Sequence, residues 1–168
     1  MSEMPGGETE RIPIKSPAGM VEVSVMHVSI DEKDPMANMV LLTDKNKRVF
    51  MPIWIGVYEG NEITRVMNSE ISERPGIYQL MHNTLESLNA NVDRVIISDM
   101  RGTTFIAQVV IKGATEIIMD SRPSDAICLA YWFEATIFVK DEVLTIAAYP
   151  DSEKISDAER TQGYIRLE

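Results

Sequence analysis

Cysteine is almost missing: Cys128 is the only one in 168 residues. No internal disulfide can form, so a reducing compartment is the default expectation. No apolar run approaches the ~20 residues that a membrane-spanning helix needs. The opening stretch MSEMPGGETERIPIKSPAG also lacks the hydrophobic segment of a secretory signal. These absences predict a cytoplasmic protein with no membrane partner. Histidine is scarce too, with His27 and His82 standing alone. Without HExxH or paired CxxC motifs a zinc site is not expected, and no GxSxG elbow, P-loop or dinucleotide fingerprint occurs. Positive charge is in deficit, 16 Lys and Arg against 26 Asp and Glu, for a net charge of −10. That argues against a general nucleic-acid coat protein, whose affinity comes from cations on phosphates. It leaves room for an enzyme acting on nucleic acid, because phosphoryl chemistry often needs carboxylates.

What is present suits one soluble domain, with 45% hydrophobic and 25% charged residues. Residues 1–19, rich in proline and glycine, read as a flexible leader, 20–148 as the domain and 149–168 as a polar tail. MVEVSVMHVSI (20–30) alternates apolar and polar, the signature of a half-buried strand. ANMVLLTD (37–44) and RVFMPIWI (48–55) suggest a hairpin, with Pro52 placing the second strand at an edge or bulging it there. A helix is expected over 57–71, weakened by Gly60, and another from Arg74-Pro75 to about Asn89. On the second helix Ile77, Leu80, Met81, Leu85 and Leu88 share one face, which predicts the buried side. Strands follow at 91–100, 103–113 and 115–121, the first two joined by a turn at Arg101-Gly102. A third helix from Pro123 to Glu134 is apolar all round and should be buried on most sides. A short strand at 137–140 and a short helix at 141–148 complete the pattern. Strands in runs, outnumbering helices, predict an α+β class: a largely antiparallel sheet with about three main helices.

Chemistry concentrates in DSRPSDA (120–126), a polar knot directly before the apolar helix. A helix beginning at Pro123 presents unpaired N–H groups and the positive end of its dipole. Arg122 can pair with Asp120 or Asp125, or face a bound anion at this helix start. The plainer alternative is that the knot only satisfies backbone donors before burial. Asp99, before Arg101-Gly102-Thr103-Thr104, can hold a metal through oxygen or simply bond its own turn. Glu59 and Glu62, after MPIWI, either enter a cleft or lie solvated near a helix start. Cys128, among Ile127, Leu129 and Ala130, reads as an inert core thiol. The methionines read as core filler.

MPIWIGVYEGNEI (51–63), ERPGIYQLMHNTLESLNANVDRVIISDMRGTTFIAQVVI (73–111) and DSRPSDAICLA (120–130) together resemble the bifunctional nuclease domain family. The resemblance covers about residues 20–147. It implies a mixed α/β single domain, often an oligomer, that cleaves both RNA and DNA. Carried over by position, the polar residues are Glu59, Arg74, Asp99, Gly102, Asp120, Arg122, Ser124 and Asp125. On that basis Asp99, Asp120 and Asp125 are expected to hold a divalent cation, magnesium or manganese, that activates water. Arg122 and Arg74 would neutralise the scissile phosphate, with Ser124, Glu59 and Gly102 contacting single-stranded substrate. The alternative function is a non-enzymatic anion-binding or regulatory module on the same fold. The sequence departs from the family where a Thr-His-Asp stretch is common and Ile77-Tyr78-Gln79 stands, and where Gly60 replaces an alanine.

Overall fold

Alternating side chains build the sheet. In β1 (Met20–Ser29) Val23 and Val25 are buried while Glu22, Ser24 and Met26 face solvent. The computed structural model describes residues 19–30, 33–34, 38–70 and 72–150. Most of the expected leader and tail therefore lies outside the described residues. After β1 come β2 (Met39–Asp44), β3 (Phe50–Trp54), α1 (Val57–Met67), α2 (Ile77–Ser87), β4 (Asn91–Arg101), β5 (Thr104–Lys112), β6 (Glu116–Ser121), α3 (Pro123–Trp132), β7 (Thr136–Lys140) and α4 (Asp141–Ala147). The seven described strands form one sheet in the order β3-β2-β1-β7-β4-β5-β6. Every pairing is antiparallel except β4 with β7. A parallel pair needs a crossover, and the segment through α3 supplies it. The expected α+β class stands, with four described helices in place of about three.

Pro52 lies on β3, an edge strand, where a missing N–H is tolerated. The β2–β3 turn is organised by Asp44, which is 5% exposed. Its carboxylate accepts from the backbone N–H groups of Arg48 at 2.6 Å and Val49 at 3.2 Å. The Arg48 guanidinium adds a contact at 3.3 Å. Burial alone would raise the Asp44 pKa, but these donors together hold it below the usual carboxylate range. A carboxylate depressed in the folded state stabilises the fold above its unfolded pKa, and that contribution is lost as pH falls through the folded value. Asp44→Ala is expected to cost about 1.5–3 kcal/mol at neutral pH, the scale of hydrogen bonds to a charged group. Urea denaturation should show the gap between wild type and variant shrinking below pH 4 (roughly the model carboxylate pKa).

Helix α3 is the buried centre. Pro123, Ser124, Ala126 and all residues from Ile127 to Ala130 are buried. It packs on β4 and β5 and is flanked by α1 and α2. Cys128 is fully buried in that core, and burial pushes its thiol well above the ordinary range, the inert state expected of it. Helix α2 corrects the wheel: Ile77, Leu80, Met81 and Leu88 are exposed, only Leu85 of that face packs against the core, and Tyr78 is buried. The apolar stripe points outward because α2 docks on α3 through Tyr78 and through His82, whose ring lies 4.5 Å from that of Phe133. The methionines are also not uniformly core. Met39 and Met51 are buried, but Met26, Met81 and Met119 are exposed.

Candidate active site at the start of α3

The sheet ends where the chemistry begins. Ser121, the last residue of β6, lies beside Ala107 of β5, which lies beside Ile97 of β4. Arg122 then serves as N-cap, with extended backbone at φ −69° and ψ 145°, and Pro123 opens α3. Proline suits a first helical turn because its missing N–H has no partner to lose there. No side chain caps this helix. Arg122 and Asp125 of the knot pair with each other instead.

Asp125, one turn into the segment, is gripped twice by Arg122. Nε donates to Oδ2 at 2.6 Å and Nη2 to Oδ1 at 3.0 Å. This fork is the strong form of an arginine–carboxylate pair. Tyr78 of α2 donates its phenol to Asp125 Oδ1 at 2.5 Å. Glu59 of α1 approaches Arg122 Nη2 at 3.1 Å through Oε1. Three helices thus deliver Glu59, Tyr78, Arg122 and Asp125 to one place. The carboxylate side chains are largely covered, Glu59 at 15% and Asp125 at 26% exposed, while Arg122 is 63% exposed. Arg122 Nη1 has no acceptor among the described residues. The site therefore shows one outward guanidinium edge backed by two carboxylates.

Two protonation states follow from these contacts. Burial, then the hydrogen bond to Asp125, pushes the Tyr78 phenol far above its ordinary value, so it stays a donor throughout the neutral range. The Asp125 hydrogen bond likewise makes Arg122 harder still to deprotonate. Behind the site Glu62 and Arg65 of α1 pair at 2.6 Å, both mostly covered. The solvated alternative for Glu59 and Glu62 is thereby corrected. Glu59 meets Arg122 because α1 packs against α3, and Glu62 meets Arg65 of its own helix, three residues on.

Gly56, the N-cap of α1, sits directly under the Glu59 carboxylate. A Cβ there would overlap Glu59 Oε2, the flexible end of a side chain that can swing away. Gly56→Ala is therefore expected to leave the melting temperature almost unchanged while displacing Glu59 from Arg122. Calorimetry beside an activity assay would separate the two effects.

The remaining predicted residues scatter. Asp99 serves its own turn, accepting from the Met100 N–H at 2.8 Å and pairing with Arg101 at 3.0 Å. Arg101 and that N–H lower its pKa. Gly102, at φ +61°, only shapes the β4–β5 hairpin, and nothing lies near its missing Cβ. Asp120 is exposed on the edge strand β6, paired in register with Gln108. Arg74 is exposed in the α1–α2 connection, and Ser124 is buried in the first turn of α3. Among the described residues no three His, Cys, Asp or Glu side chains gather to hold a metal ion. The set Asp99, Asp120 and Asp125 therefore does not fit a divalent cation: Asp99 is spent on Arg101 and Asp125 on Arg122 and Tyr78. The further pairing of Arg122 with Asp120 is replaced by Asp125 and Glu59. Sequence reasoning passed over Tyr78, whose one signal was its position inside the departure Ile77-Tyr78-Gln79.

The chain is thus a mixed α+β domain with an arginine–carboxylate cluster at the start of a buried helix. Comparison narrows it, since the pattern of the bifunctional nuclease domain matches residues 40–152. The chain belongs to that family. It is also similar to an uncharacterised protein from each of two Mycobacterium tuberculosis strains, at 28% identity over 144 residues and 84% of each chain. No described helix is long and apolar enough to cross a membrane.

Proposed function

We propose that this protein is a nuclease that hydrolyses phosphodiester bonds of single-stranded RNA and DNA at the Arg122–Asp125 cluster. The observation that carries it is the open Nη1 edge of Arg122 in a chain of the bifunctional nuclease domain family. A phosphate seated on that edge has its charge neutralised where further charge develops in the transition state. Glu59 and Asp125, both within reach of the same guanidinium, are placed to accept a proton from an attacking water. Tyr78 holds Asp125 in orientation and does not itself exchange protons. The mechanism runs through these four side chains.

Purified protein incubated with labelled single-stranded RNA and DNA tests this. Cleavage is expected with wild type and its loss with Asp125→Asn. Cleavage surviving that substitution would overturn the assignment of the site. Parallel reactions with magnesium, manganese and chelator address the metal. Strict dependence on an added ion would mean that the carboxylates regroup when substrate binds.

The second function, an anion-binding or regulatory module, is favoured by one observation: Arg122 already bonds both nearby carboxylates. Inorganic phosphate binding without cleavage would select it. Self-association is part of the proposal too, because the edge strand β6 exposes Ile117, Ile118 and Met119. Exposed apolar edges invite strand pairing. A monomer by sedimentation velocity would overturn it.

A further inference from the structure

We infer that β6 is a dimer seam: it pairs antiparallel with β6 of a second copy, with Ile118 on the two-fold axis. The inference rests on the self-association reading and assigns its partner, strand and register. β6 is an edge strand, bonded to β5 alone among the described strands, and Glu116 to Asp120 are all exposed. No proline, lysine or bulge interrupts it, and its register against β5 runs unbroken from Glu116 to Ser121. Those are the usual devices that keep an edge from pairing. The opposite edge is protected. β3 contains Pro52, and Tyr149 exchanges backbone hydrogen bonds with Phe50 at 2.7 and 2.9 Å. One edge is blocked and the other is left open.

The core decides the occupant. Residues opposite one another in a ladder share a face, so Ile117 and Met119 extend the row of Ile111 and Val109. Both of those β5 residues are buried in the main core, whereas Ile117 is 49% and Met119 50% exposed. The apolar row therefore runs out at β6 uncovered. A lone peptide strand would take the hydrogen bonds and end the same row one strand later. A second copy brings its own β6, β5 and core, so the row continues into a covered interior. A two-fold axis normal to the sheet makes the paired strands antiparallel and keeps each face with its like. It therefore sets one residue opposite itself. With Ile118 there, Ile117 meets the partner's Met119 and Met119 the partner's Ile117, so all three apolar side chains of β6 meet apolar ones. With Ile117 or Met119 there instead, Ile118 would face Glu116 or Asp120. The cost is Glu116 opposite the partner's Asp120, twice. Arg94, 3.9 Å from Glu116, offsets part of it.

Cysteine cross-linking reads the register, because Cys128 is buried and is the one native thiol. Opposed residues of an antiparallel pair have Cα atoms about 4.5–5.5 Å apart, within disulfide reach. Under mild oxidation Ile118→Cys should form a covalent dimer alone. Glu116→Cys and Asp120→Cys should each stay unlinked alone and link to one another when mixed. Physiological salt screens the repulsion between two chains of net charge −10, so sedimentation velocity is run there. Wild type is expected as a dimer and Ile118→Lys as a monomer with an unchanged melting temperature. Asp120→Asn, which removes the opposed carboxylates, should tighten the dimer by about 2- to 30-fold. A wild-type dimer in which Ile118→Cys fails to cross-link, or Glu116→Cys links to itself, would overturn this seam and leave self-association standing. A monomeric wild type would overturn both. Glu59, Tyr78, Arg122 and Asp125 all lie off β6, so the cleavage assay judges the nuclease reading separately.

Discussion

Arg122→Ala is expected to lower kcat/KM on single-stranded RNA by on the order of 10²–10³, the cost of removing one preorganised donor from a developing charge. The physical reason lies in how many partners one guanidinium serves. Nε and Nη2 bond Asp125, Nη2 also meets Glu59, and Nη1 has no acceptor among the described residues. Removing the side chain takes away the proposed phosphate contact and leaves two mostly covered carboxylates without their shared counter-charge. Like charges in a shared site are disfavoured, so Glu59 and Asp125 should also lose their orientation. Arg122→Lys keeps the charge but not the fork, and should recover only a small part of the rate. Single-turnover kinetics on all three proteins, with melting temperatures recorded beside them, checks this. Full activity in Arg122→Ala would remove the site from consideration.

Tyr78→Phe should cost about 1–2 kcal/mol of stability and reduce cleavage, because it deletes the hydrogen bond that α2 makes to the cluster. The Asp125 carboxylate keeps Arg122 but loses the phenol that fixes its rotation. The informative companion is Tyr78→His, since the family's common Thr-His-Asp stretch puts an imidazole in that stretch. Histidine can donate to Asp125 but titrates near neutrality, unlike the buried phenol. Tyr78→His is therefore expected to cleave better than Tyr78→Phe and to acquire a pH dependence near 6–7 (about the free imidazole pKa). Wild type should lack this step. A flat profile in both would show that Tyr78 is structural only.

Strand periodicity was legible in β1, though β2 is buried at every position and β6 almost wholly exposed. Val23 and Val25 alternate inward, Pro52 lies on an edge, and the apolar run after Pro123 is the buried helix. Helix α2 was misleading, since Ile77, Leu80, Met81 and Leu88 form an apolar face that looks outward. Periodicity shows that a face exists and does not say what meets it. The site divided in the same way. Arg122 and Asp125, three residues apart, were legible as a pair because helix spacing brings them together. Asp99 and Asp120 looked equally eligible, yet each stayed with its own surroundings on β4 and β6.

The amino-acid order alone determined the strand-rich class, the buried third helix and the polar knot at its start, because hydrophobic period and helix-end chemistry are local properties. Which charges share a site was decided only by tertiary packing. Glu59 and Tyr78 reach Asp125 and Arg122 from 47 or more residues away along the chain, and no local rule specifies a contact of that length. Docking of α1 and α2 against α3 made those contacts.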